Sequence, residues 1–381
     1  MANYIKEIKI KFKENSFQNL IWWIDLFPKM FGFSYFSSKV KAPFWIILIL
    51  STCYLDLVGF VRYNMYYANG IIDTLNSYFN ISIIVIIYNT CRWLLFERKG
   101  LREALDLVKK NNKMAMQLES GIEKHTALIK SIKNLVIICH LFHLINDLII
   151  FAPKRISQIK DFSMTSCVGM EPFRKSPNRE ICTTIFVLQA IFAICATSSY
   201  DATFLFLFVH TAAMFDILAE EILSLNDVTE RQEITTVAES LKNLVNRHSL
   251  MLYTVKKIEE IYSVIIGVSF SLEAVSACIF FVLPLDLALN FAPLVVHGIF
   301  MFFLYSYYGQ KITSAAERFE MALYCCGWEN FNIKEQKTIL ITLRQSQKPV
   351  VLKAASVVPI CIYTFACAMQ SIFKYVTAFK T

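Results

Sequence analysis

Two histidines, four acids set in apolar stretches and a row of polar residues near the carboxy terminus are the groups in this 381-residue chain best placed to do chemistry. His140 and His143 stand at i and i+3, a spacing that can put two imidazoles on one helix face as metal ligands. No third ligand lies nearby in sequence, so a pair hydrogen-bonding within a helical bundle is the competing reading. Asp56, Asp147, Asp201 and Glu273 are acids in apolar surroundings, where an uncompensated charge is costly and therefore marks a function by default. They can relay protons or coordinate ions in a transporter, or serve as structural hydrogen-bond partners. The chain has no His-Glu-x-x-His, phosphate loop, Gly-x-Ser-x-Gly or dinucleotide fingerprint. An enzyme is not expected, and no cofactor or metal is implied.

The third group is narrower. Gln370, Lys374, Thr377 and Thr381 are spaced by four, three and four, which at 100° per residue confines them to about 60° of a helix circumference. Ala378 flanks that stripe, while Ile372, Phe373, Val376 and Phe379 cover the remaining face. If several copies surround a shared axis, such a stripe borders water and lines an ion pore. Alternatively Lys374 snorkels to the interface and the stripe faces headgroups.

What positions these groups follows from composition. Apolar and aromatic types make up 56% of the chain and charged ones 18%, with 32 Phe and 17 Tyr. Mean hydropathy is +0.47. Too little charge remains to coat a soluble globule, so lipid is the expected solvent. Stretches long enough to cross about 30 Å of hydrocarbon occur seven times. They run from Pro43 to Tyr63, Thr74 to Leu95, Ser131 to Phe151, Ile181 to Phe215, Ile261 to Leu285, Leu287 to Gln310 and Val350 to Phe379. All are helix candidates, because an open strand edge leaves backbone groups unsatisfied in lipid. In the last, Pro349 is suited to a helix start and Pro359 should kink the helix.

The formal charge of +8 arises from 38 Lys and Arg against 30 acids. Segment 1–42 holds seven Lys, and segments 98–126 and 311–348 hold seven and six basic residues. Basic loops favour the cytoplasmic side, which places the amino terminus inside and, after seven crossings, the carboxy terminus outside. Loop 152–180 also carries six basic residues and opposes that assignment. Trp22, Trp23, Phe27 and Phe31 suggest an interfacial helix within 1–42. Residues 216–260 keep helical spacing at Leu241, Leu244, Val245 and Leu252 and read as a cytoplasmic extension. With 311–348, they form either a membrane-proximal bundle or independent solvated helix ends.

No basic run interleaved with aromatics lies outside the spans, so nucleic acid is not an expected partner. Eleven cysteines are scattered and mostly behave as small hydrophobes. Cys167 and Cys182 fall in one external loop, where a disulfide and free thiols are both admissible. The glycosylation triplet Asn80-Ile81-Ser82 lies inside a span and is discounted.

From residue 304 the chain reads Leu304-Tyr305-Ser306-Tyr307-Tyr308-Gly309-Gln310-Lys311-Ile312, then Ala322-Leu323-Tyr324 and Gly327-Trp328. Arg344-Gln345-Ser346-Gln347-Lys348-Pro349-Val350-Val351-Leu352-Lys353-Ala354 and Tyr363-Thr364-Phe365 follow. This series resembles the insect odorant receptor family, closely over residues 300–380 and more loosely along the whole chain. Tyr363-Thr364-Phe365 departs from the Thr-Tyr and downstream Gln-Phe signature of the related gustatory receptors, an alternative class of ligand-gated channel.

The resemblance implies an all-α membrane protein with seven transmembrane helices and an odorant receptor-like channel fold. Its segments are a cytoplasmic 1–42, helices 1–4 with an odorant pocket in 43–215 and a cytoplasmic extension in 216–260. Helices 5–6 in 261–310, an anchor segment in 311–348 and a pore-lining helix in 349–381 complete it. It further implies a tuning subunit in a tetrameric, odorant-gated, non-selective cation channel. The partners are then an odorant co-receptor, a volatile ligand, membrane lipid and permeating cations, at the dendritic plasma membrane of olfactory neurons. The shared co-receptor of that family carries a long insertion between spans four and five that is not found here. A family-type ligand site maps onto Tyr78, Phe79 and Ser82 in span two, and Phe142, His143 and Asn146 in span three. Span four contributes Phe192, Cys195, Ala196 and Ser199, and span five Phe270, Ser271 and Ala274. The pore-lining set is Gln370, Lys374, Thr377, Ala378 and Thr381. A secondary transporter built on the four acids is the reading from another class.

Overall fold

The computed structural model describes residues 10–30, 34–35, 46, 49–51, 53–66, 70–116, 122–157, 167, 169–170, 175–225 and 234–380. Its helices are α1 (Phe17–Ile24), α2 (Leu26–Met30) and α3 (Gly59–Tyr66), the last continuing a π-helical turn at Cys53–Val58. Then come α4 (Ile71–Phe96), α5 (Arg98–Ala115), α6 (Ile122–Ser157), α7 (Asn178–Leu223), α8 (Ile234–Val282) and α9 (Leu285–Tyr324). After a 3-10 turn at Trp328–Asn330, α10 (Ile333–Ser346) leads to a short antiparallel pair, β1 (Lys353–Ala354) and β2 (Val358–Pro359). The last helix is α11 (Ile362–Lys380).

Among the described residues, four helical segments are long and apolar enough to cross a membrane: Lys124–Asn146, Asn178–Leu223, Val237–Val282 and Phe291–Tyr324. α3, α4 and α11 occupy the positions of the first, second and seventh expected spans. At 1.5 Å per residue the 46 residues of α7 reach about 70 Å, more than twice the hydrocarbon thickness, and α8 with 49 is longer still. Spans four and five and much of the charged connection between them are therefore two continuous rods, with 226–233 outside the described residues.

α7 is the central helix, packed chiefly on α9 and α6 and also on α4 and α8. Tyr200, Phe204, Phe206, Phe208 and Phe215 are buried along it. Trp93 of α4 meets the Tyr200 ring edge-on at 5.0 Å and the Tyr262 ring at 5.3 Å, and Phe204 stands 4.4 Å from Tyr305. These aromatic contacts add specific geometry to the apolar burial.

Two expectations about the ends of the chain are revised. The Trp22-Trp23 segment packs into the bundle: Ser16 caps α1 through the Asn19 N–H, and Leu20, Trp23 and Ile24 are buried against neighbours that include α6. Phe27 meets the His140 ring at 4.6 Å, while Phe31 lies outside the described residues. The final helix does not begin near Val350 or kink at Pro359. Residues 353–359 form a hairpin whose tip, Ala355 and Ser356, takes positive φ of 48° and 59°. Two successive left-handed residues suit a tight hairpin and break a helix. The Ala355 N–H donates to the Ser263 carbonyl at 2.7 Å and the Ser356 N–H to Ser263 Oγ at 2.8 Å. The Pro359 carbonyl accepts from Thr364 Oγ1 at 2.7 Å, so the proline precedes the helix.

Glycines make the hairpin's seat. A Cβ on Gly267 of α8 would lie 2.8 Å from the Ala355 Cβ, and one on Gly309 of α9 would overlap the Ile360 carbonyl. Gly309, inside the Tyr307-Tyr308-Gly309-Gln310 motif, thus admits the backbone leading into α11. Cys167 and Cys182 form a disulfide, buried with Leu55 beside it.

Candidate functional site

A cavity lies among α4, α6, α7, α8 and α9. α4 contributes Ser82, Ile86, Ile87 and Thr90, and α6 contributes His143 and Asn146. Ala193, Ile194, Thr197, Tyr200 and Asp201 line it from α7, and Ser269, Glu273 and Ser276 from α8. The fifth wall is α9, with Leu294, Val295, His297, Gly298, Met301 and Tyr305. Apolar walls with a few convergent polar groups are the usual make-up of a small-molecule site.

The polar groups have a definite order. Tyr305 donates its hydroxyl to Asp201 Oδ1, and His143 Nε2 lies 2.9 Å from Asp201 Oδ2, off the line of a hydrogen bond. Asp201 and His143 are 4% and 1% exposed, so this contact is shielded from bulk water. The His143 ring is 5.1 Å from that of His297, which stacks on Phe142 at 5.4 Å. Glu273 packs against the backbone of Gly298, where a Cβ would come within 3.2 Å of its Cγ. Glu273 Oε2 is shut from solvent with no hydrogen-bond partner.

Ser82, His143 and Asn146 line this cavity. Phe142 stands behind its wall against His297 and Phe300. Tyr78 lies on α4 outside the lining, its carbonyl accepting from Ser82 Oγ at 3.0 Å, and the Phe79 side chain is outside the described set. Phe192, Cys195, Ala196 and Ser199 are buried in the bundle instead, because the cavity face of α7 is offset by one residue, a rotation of 100°. α8 shows the same one-residue offset, opposite in sign. Phe270 packs on Phe302 at 4.0 Å, Ser271 is exposed and returns a hydrogen bond to the Gly267 carbonyl, and Ala274 falls beside the lining.

The wall supplied by α9 has no counterpart among the sequence-derived residues. Its available signal was Tyr305 at the head of the motif series and the polar His297-Gly298 pair in an otherwise uncharged span. The acids also regroup. Asp201 and Glu273, far apart in sequence, share one cavity, whereas the side chains of Asp56 and Asp147 lie outside the described set. His140 and His143 part company: His140 Nδ1 is 2.6 Å from Ser198 Oγ and its Nε2 3.3 Å from the Trp23 carbonyl.

On α11, Gln370, Lys374, Thr377 and Ala378 are exposed along one edge, with Thr381 outside the described residues. Ile372 is buried in a small cluster with Phe291 and Val295 of α9 and Ala277 of α8. Among the described residues, the polar stripe and the buried Ile372 thus stand on different sides of α11.

Comparison with known proteins matches residues 69–373 to the 7tm Odorant receptor family model. Odorant receptor 9a of Drosophila melanogaster is 24% identical over 200 residues, a match covering 51% of this chain and 50% of that protein. The chain thus spans about half the length of that relative in the match. Two solved structures of the insect olfactory receptor OR5 from Machilis hrabei share the fold, with TM-scores of 0.78 and, for its complex with eugenol, 0.76. Both are 14% identical and cover 95% of this chain and 97% of their own. With four-fifths of its length inside the family model and the same helical architecture, this membrane protein belongs to the 7tm odorant receptor family.

Proposed function

We propose that this chain is the odorant-specific subunit of a heterotetrameric, odorant-gated, non-selective cation channel, assembled with an odorant co-receptor. It binds a volatile organic ligand in the cavity among α4 and α6–α9 and contributes α11 to the pore. The observation that carries this reading is the pairing of a polar-floored cavity with a terminal helix on which Gln370 and Lys374 are exposed among the described residues. The ligand favours the open arrangement by binding it more tightly than the closed one. The basic loops favour a cytoplasmic amino terminus, and the family favours the dendritic plasma membrane of olfactory neurons.

Co-expression with and without a co-receptor, recording odorant-evoked current, tests the assignment. Current that needs both chains is expected; stoichiometric solute uptake by this chain alone would instead make it a transporter. Lys374→Gln should change rectification or block while altering thermal stability by less than about 0.5 kcal/mol, as for an exposed substitution. Unchanged permeation would remove Lys374 from the pore.

A further inference from the structure

We propose that the cavity selects volatiles carrying a basic amine, with the nitrogen seated against Glu273. The inference rests on the ligand-binding reading of the cavity above and gives it a chemical class. Two carboxyl groups share the lining, and their circumstances differ. Asp201 is engaged by the Tyr305 hydroxyl and by His143. Glu273 Oε2 is shut from solvent and has no hydrogen-bond partner among the described residues. Among the described residues, no lysine or arginine lines the cavity to compensate it.

A carboxyl group with one oxygen occluded and unpartnered is expensive in either form: as an anion it lacks a counter-charge in the cavity lining, and as an acid protonated at that oxygen it lacks an acceptor. Hydrocarbons help neither form. Esters and ketones offer only an acceptor and leave an anion unmatched, while an alcohol hydrogen-bonds without supplying charge. An amine answers both cases. Its neutral nitrogen accepts the proton of the acid, and its ammonium form donates to the carboxylate; either route ends in the same ammonium–carboxylate pair with no proton taken from elsewhere. The missing Cβ at Gly298 is what lets the Glu273 side chain lie against α9. The hydrocarbon part of the ligand then meets Ile86, Ile87, Ile194, Leu294, Val295 and Met301.

The test uses the full chain co-expressed with an odorant co-receptor, and in parallel the purified full chain in lipid nanodiscs. The probes are primary amines from butylamine to 2-phenylethylamine, each beside the alcohol and the hydrocarbon of matching skeleton. Current and ligand-induced thermal shift are both read. At least one amine is expected to exceed its alcohol in potency by on the order of tenfold or more. Glu273→Gln should abolish that preference, and Glu273→Asp, which keeps the charge, should restore part of it. Equal potency of amine and alcohol, or an equal loss for both in Glu273→Gln, overturns the amine assignment and leaves the channel reading standing. An amine-specific, Glu273-dependent thermal shift without current sustains the assignment and counts against gating. Neither shift nor current from any amine overturns it.

Discussion

The two ends of the long helices are built differently. At its cavity end, α7 presents exposed Ile181, Val187, Leu188 and Ile191, and its Ala193–Asp201 stretch lines the cavity. Toward its carboxy-terminal end the same helix is enclosed, and its neighbours are tied by charge. Arg247 of α8 is 0% exposed and paired with Glu221 of α7, Arg318 of α9 reaches Asp216 of α7 at 2.6 Å, and Lys257 of α8 reaches Glu103 of α5 at 2.9 Å. Lys133 of α6 donates to the carbonyls of Phe12 and Glu14 at 2.9 Å each and to Asn15 Oδ1 at 2.6 Å, drawing the amino-terminal segment in. The contrast separates construction: one end ties the helices in register by ion pairs, and the other encloses a cavity. Low local packing is where functional motion is drawn from.

The largest effect should come from breaking the tied end. Arg247→Met strands the Glu221 carboxylate and is expected to cost about 3–5 kcal/mol, as for removal of one partner of a buried pair. Thermal unfolding in nanodiscs reads it, and adding Glu221→Leu should recover most of the loss if the pair, rather than the packing, is responsible. Next is Gly309→Ala, whose new methyl overlaps the Ile360 carbonyl. Displacement of the hairpin should cost about 1–3 kcal/mol and suppress evoked current while surface levels persist. At the cavity end, Tyr305→Phe removes the hydroxyl that Asp201 accepts, about 1–3 kcal/mol, and should shift ligand dose–response more than it shifts assembly. The smallest effect is at Glu103, where Lys257 holds the carboxyl below its ordinary value of 4.5. A lowered carboxylate contributes stability that is complete above that ordinary value and is lost as pH falls through the lowered one. The melting temperatures of wild type and Glu103→Gln should therefore differ slightly at neutral pH and converge in acid.

Much of the architecture was legible because lipid imposes a simple rule on length and polarity. The third to sixth apolar runs overlap the four helices long and apolar enough to cross a membrane, and the helical spacing of Leu241, Leu244, Val245 and Leu252 falls within α8. Two features escaped for identifiable reasons. The hairpin at 353–359 reads as apolar helix, since Ala355 and Ser356 are not the residues that announce positive φ. The cavity face of α7 was displaced by one residue because 46 mostly apolar positions give almost no amphipathic signal to fix rotation. Ser82, His143 and Asn146 were easier, being polar residues in helices whose other faces are plainly apolar. Asp201 and Glu273 were flagged as costly groups, but their meeting is a tertiary fact that spacing does not encode.

α8 carries Glu273 in the cavity wall, Gly267 and Ser263 under the hairpin that leads to α11, and Lys257 at the clamp to α5. Six residues separate Glu273 from Gly267, about 9 Å of rise. The cavity wall and the seat of the hairpin that leads into the terminal helix are thus about two turns apart on one continuous helix. Under the proposed channel reading, stimulus and response would share a single axle, since no break interrupts Ile234–Val282 between them.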